Sequence, residues 1–127
     1  MEYLSKAFIA FLLVKNYSNV DNFPFLGNSI GDNLQVLGKK ILDDFNLKHA
    51  IVRGTLNAWL MEAEEANWTN PQDIKNRYPT ASFLEENKVI FNIKGNHYRL
   101  IVVVDYQRQI VIVSWVGTHA EYSKKFC

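Results

Sequence analysis

The chain has 127 residues, 48% of them apolar, and a formal net charge of +1, which is the size of one domain with its own core and excludes a disordered or strongly polyionic protein. Its one cysteine, Cys127, excludes an internal disulfide framework, and one cysteine with three scattered histidines gives no zinc-type ligand spacing. The longest apolar run, Ala7 to Val14, is eight residues, far short of the ~20 that span a bilayer.

Residues 1–33 stand apart from the rest. Lys6 precedes the apolar run, but no small-residue cleavage site follows it, since the chain continues Lys15-Asn16-Tyr17-Ser18. Export is therefore not expected, and a reducing cytoplasm fits the cysteine usage. From Asn16 to Asn33 the chain is rich in Asn, Ser and Gly with no helical or strand period, which reads as an N-terminal extension ahead of a domain over residues 34–127. No internal repeat is visible.

From Leu34 the pattern sharpens. Leu34 to Leu37 alternates briefly, as a short edge strand does. Leu37, Ile41, Leu42 and Phe45 recur at helical spacing and predict a helix over residues 38–48. A second helix follows, with Val52, Leu56, Trp59, Leu60 and Ala63 on one stripe and Glu62, Glu64 and Glu65 mostly off it. Asn70 as cap, Pro71 at the first helical position and Asp73 in the first turn predict a short helix to Arg77, closed by Tyr78-Pro79.

Beyond it lie β-branched and aromatic runs over residues 88–94, 97–105 and 109–116. Gly95-Asn96 reads as a two-residue hairpin connector, because both residue types tolerate positive φ. That loop length pairs Asn92 with Arg99 and Lys94 with His97, and places all four on one face. The next connector, near Tyr106 to Arg108, contains no glycine and leaves its register open. Leu100 to Val104 is apolar on both faces, as in a central strand. The class is α+β, with N-terminal helices packed on a small antiparallel β-sheet.

Charge is unevenly placed. From Lys88 to Cys127 six lysines and arginines face two acids, Asp105 and Glu121, which suits a polyanionic partner. Arg99 opens an otherwise apolar strand, where a guanidinium must find a partner or water. The next polar segment is Thr118 to Tyr122. Thr118 and Glu121 have capping-box spacing, which makes Glu121 structural and sets His119 in the first turn of a helix with Tyr122 on the same side. Free N–H groups at such a terminus favour an anion. Trp59, Trp68 and Trp115 read as packing residues, and His49 as a cation at a helix C-terminus.

Two blocks carry a resemblance: VIFNIKGNHYRL (Val89 to Leu100) and VGTHAEY (Val116 to Tyr122). They resemble the paired signature blocks of the HigB family of type II toxins, relatives of RelE. Ala58-Trp59, Glu65 to Trp68 and the segment from Asp73 to Phe83 extend the likeness over residues 34–127. The resemblance implies a RelE-like fold and an mRNA interferase, that is, an endoribonuclease that cuts mRNA on translating ribosomes by 2′-hydroxyl attack, with no metal or other cofactor. It implies a HigA-type helix-turn-helix antitoxin as partner, besides mRNA and the ribosome. Carried over by position, Asn92, Lys94 and Asn96 bind RNA, and Arg99, His119 and Tyr122 are catalytic: Arg99 holds the phosphate, His119 acts as base or acid, and Tyr122 shares proton transfer or stacks on a base.

The alternative is a non-catalytic RNA- or ribosome-binding inhibitor of translation that uses the same basic face. A toxin that has lost its activity and is kept for partner binding is a third reading. Family members begin near a Met-x-Val/Ile strand, which aligns with Leu34-Gln35-Val36. Residues 1–33 are therefore expected to come from an upstream start, with Leu34 at the true one.

Overall fold

The computed structural model describes residues 34–127; the extension over residues 1–33, and with it the expected start at Leu34, lies outside the described residues. Strand β1 (Gln35–Leu37) leads into helix α1 (Lys39–Lys48) through Gly38. Its φ is +84°, and a Cβ there would meet the Val113 carbonyl oxygen at 2.9 Å, so this turn needs glycine twice over. Helix α1 buries Leu42 and Asn46, with Phe45 half-buried against the core. Ile41, expected on the buried stripe, is 36% exposed. The true stripe of a ten-residue helix is narrow, and Leu42, Phe45 and Asn46 already fill it.

Helix α2 (Ala50–Glu65) buries Val52, Leu56, Trp59 and Ala63, the stripe the spacing predicts. His49 alone separates it from α1 and donates its backbone N–H to the Phe45 carbonyl. Helix α3 (Pro71–Arg77) starts as expected, with the Asn70 side chain accepting from the Asp73 N–H at 3.1 Å. The Asp73 carboxylate in turn accepts from the Thr69 N–H and hydroxyl, and these bonds, the backbone one first, hold its pKa below the ordinary value. Tyr78, at the end of α3, donates to Glu62 of α2, which also receives Arg77 at 2.6 Å. Burial first, and the Glu62 contact second, push the Tyr78 phenol well above its usual range. Among the described residues no helix is long and apolar enough to cross a membrane.

The remaining strands are β2 (Ser82–Leu84), β3 (Lys88–Ile93), β4 (Tyr98–Asp105) and β5 (Ile110–Thr118), followed by helix α4 (His119–Phe126). The five strands form one sheet in the order β1-β5-β4-β3-β2. The fold is α+β, with two departures from expectation. The sheet is mixed, because β1 pairs with β5 in parallel; three helices and three strands intervene, ample chain for the crossover that parallel neighbours require. The helices also do not all precede the sheet, since α4 follows the last strand.

Leu100, Val102 and Val104 on β4 are fully buried and join Phe91, Val89 and Val111 under α1 and α2 as the core. Phe91 is its hub, in contact with Trp59, Trp68 and Tyr78 at ring separations of 5.4, 6.1 and 5.0 Å. Ile90 and Ile101, on the other face by alternation, are also buried, so β4 is closed on both sides as its double apolar pattern predicts.

Candidate functional site at the hairpin and the last helix

The β3–β4 hairpin keeps the expected register: Asn92 lies opposite Arg99. Its tip differs in detail. The ladder ends at Ile93 and Tyr98, and positive φ falls on Lys94 (54°) and Gly95 (68°) rather than on Gly95 and Asn96. Lys94 therefore leaves the pleat, so alternation no longer sets its direction, and its side chain is exposed. Asn96 and His97 are exposed beside it.

Arg99 is held from two sides. Its guanidinium donates to Asn96 Oδ1 at 2.8 Å and lies over the Tyr122 ring, 5.5 Å from the centroid. Neither neighbour is a carboxylate, so the charge is fixed in place but not neutralised. Asn92 shares the Arg99 face by register and donates to the Thr80 carbonyl at 3.1 Å, which ties the hairpin to the segment before β2.

Helix α4 supplies the other half. The capping box is present: Thr118 accepts from the Glu121 N–H at 3.1 Å, and Glu121 accepts from the Thr118 N–H at 2.8 Å. Glu121 is structural, as its spacing predicts. The His119 N–H is taken by the His97 carbonyl at 2.8 Å, so the start of α4 is pinned to the hairpin tip. That bond uses one of the free amides expected to attract an anion. The His119 side chain is exposed one helical turn from Tyr122. Tyr122 and Phe126 pack on Trp115 at 6.1 and 5.3 Å. A Cβ at Gly117 would collide with the Trp115 indole, so the glycine lets that ring lie flat along its own strand.

Of the predicted residues, the fold brings Arg99, Asn96 and Tyr122 into contact. It leaves the His119 and Lys94 side chains exposed, at the start of α4 and at the hairpin tip, outside those contacts, and gives Asn92 a bracing bond. Sequence reasoning undervalued two others. Trp115 is half-buried, within its reading as core or half-buried packing, but it also lines a groove, whereas Trp59 and Trp68 are 3% and 5% exposed and belong to the core. His49, read as a helix-end cation, stacks on Phe45 at 4.1 Å and lines a groove with Trp115 and Lys125. Only long-range packing joins these three, so no local pattern marks them.

A family model described as HigB_toxin, RelE-like toxic component of a toxin-antitoxin system, matches residues 52–125, more than half of the chain. No curated protein matches it.

Proposed function

The chain belongs to the HigB toxin family, and from that premise we propose that it is an endoribonuclease acting on mRNA engaged by translating ribosomes in the cytoplasm. The observation that carries this reading is Arg99: a guanidinium clamped by Asn96 and Tyr122, with no carboxylate among its described contacts. An arginine fixed by neutral groups keeps its full charge for an anion, and its planar fork suits a phosphate.

Cleavage requires no cofactor. The 2′-hydroxyl of the nucleotide before the scissile bond attacks the adjacent phosphorus, its proton passes to a base, and the 5′-oxygen leaves with a proton from an acid. The products are a 2′,3′-cyclic phosphate and a 5′-hydroxyl. Arg99 binds the two non-bridging oxygens on which charge builds, and Lys94 at the hairpin tip adds a second cation; one preorganised donor of this kind is worth about 10²–10³ in rate. His119 moves a proton, a role worth about 10²–10⁴. Tyr122 holds the Arg99 guanidinium through its ring face, and Asn92 and Asn96 meet the RNA at the hairpin.

The partner that restrains such a toxin is an antitoxin, and a HigA-type helix-turn-helix protein is the proposed one. The test is inducible expression with mapping of mRNA 5′ ends and end-group analysis. Wild type arrests growth and leaves 2′,3′-cyclic phosphate ends; Arg99→Ala and His119→Ala each relieve the arrest and stay folded. Arrest with intact mRNA would instead establish an occupancy inhibitor, and full toxicity in both variants would place the site elsewhere.

A further inference from the structure

The basic residues divide by what they touch. Lys39, Lys40, Arg77 and Arg108 pair with Glu64, Asp44, Glu62 and Asp105. Arg53 and Lys75 donate to the carbonyls of Asn46 and Ala81. Lys48, Lys94, Arg99, Lys124 and Lys125 have no carboxylate partner among the described residues. Lys94 and Arg99 belong to the site above. Lys48 and Lys125 converge from α1 and α4 on a groove of about 350 Å³, lined also by His49, Trp115 and Val116. Glu121 is at its edge, but its carboxylate is engaged by the Thr118 N–H at 2.8 Å and pairs with neither lysine.

We infer that this groove is a second RNA subsite, which receives a nucleotide flanking the scissile one; the inference rests on the nuclease reading. Its volume is near the small end of ligand sites, ~300–1,000 Å³, which suits one unpaired nucleotide. Single-stranded nucleic acid is gripped by cations along its backbone and flat rings for its bases. Both are present. Lys48 and Lys125 supply the charge, the latter leaning over Phe126 at 5.7 Å. Trp115 and His49 supply the rings, and each is held by a neighbour, His49 stacked on Phe45 at 4.1 Å and Trp115 met edge-on by Phe126 at 5.3 Å. The groove is linked to the first site by a chain of contacts, since Trp115 packs on Tyr122 at 6.1 Å and Tyr122 carries Arg99 at 5.5 Å. A strand anchored at Arg99 would reach the lysines by passing the helix α4 that carries both Tyr122 and Lys125.

The test measures binding of the full chain to a fluorescein-labelled 12-nucleotide 2′-O-methyl RNA, which has no free 2′-hydroxyl and stays uncut. The Lys48→Ala/Lys125→Ala double variant, both side chains being exposed, is expected to fold normally by circular dichroism and to bind roughly tenfold more weakly. Its plot of log affinity against log salt flattens by about 0.7 for each lysine lost. RNA quenches the fluorescence of wild type, and Trp115→Phe abolishes that quenching, because Trp59 and Trp68 are buried. Unchanged affinity and slope in the double variant, with Arg99→Ala still weakened, overturn the subsite and leave the nuclease reading standing. Absence of binding by wild type also overturns it, while the cyclic phosphate ends judge the nuclease reading independently. A double variant that binds RNA normally but loses the antitoxin assigns the groove to a protein partner, which refutes the inference.

Discussion

Replacing Arg99 by alanine separates the fold from the chemistry, because the two depend on this side chain by different amounts. In the fold it makes one exposed hydrogen bond, to Asn96 at 2.8 Å, and one contact over the Tyr122 ring at 5.5 Å. The first is worth about 1 kcal/mol and the second roughly 0.5–1; removal of a cation from a basic cluster returns part of that. The net loss is about 1 kcal/mol, which lowers the melting temperature of a domain this size by about 4–8 °C. In the proposed reaction the same guanidinium faces the charge that develops on the non-bridging phosphoryl oxygens, and its loss is expected to cost about 10²–10³ in rate, or ~2.7–4 kcal/mol. Rate therefore falls far more than stability does. The assay pairs thermal melting with single-turnover cleavage of a reporter mRNA in a translation extract. Arg99→Lys keeps the charge but not the fork and should recover only part of the rate. Cleavage within a factor of about three of wild type would refute the assignment, and so would a loss of rate explained by unfolding.

Thr118→Ala removes half of the capping box and costs α4 about 1 kcal/mol; amide exchange within 119–126 should quicken roughly fivefold while that of β4 stays unchanged, and activity should fall as His119 and Tyr122 lose their support. Phe91→Ala empties the hub among Trp59, Trp68 and Tyr78 and should cost about 3–5 kcal/mol, visible as a collapse of the melting temperature, whereas Phe91→Leu costs less. Tyr78 sets an alkaline limit: its folded pKa lies above the ordinary value of 10.0, so the unfolded chain gives up this proton first. Stability should be level below that pH and fall above it by up to ~1.4 kcal/mol per pH unit, and chemical denaturation of Tyr78→Phe should show a shallower slope.

Elements whose signals are local were legible. Helix α2 announced itself through four buried residues on one stripe, α3 through Asn70 and Pro71, and the start of α4 through Thr118 and Glu121. The hairpin register followed from loop length alone. What escaped was short or non-local. Strand β2 has three residues and buries none of them fully, so no alternation marks it, and the parallel partner of β1 is chosen by tertiary packing. The connector between β4 and β5 obtains its positive φ from Gln109 at 58°, a residue type that gives no turn signal. In the site, the Arg99–Asn96 pair was within reach because both belong to one hairpin. The stacking of Arg99 on Tyr122 and the convergence of Lys48 and Lys125 join separate elements and became visible only in the fold.

The position of β5 bears on how such a protein is made. It is hydrogen-bonded to β1 on one side and to β4 on the other, and α4 follows it. A nascent chain that has not yet emitted β5 leaves β1 without a neighbour, and Arg99 has no Tyr122 to lie against. Closure must wait for contacts of long sequence separation, which form slowly. The clamp on Arg99 is thus among the last features to form: a chain stopped short of β5 and α4 would carry the guanidinium with Asn96 alone beside it.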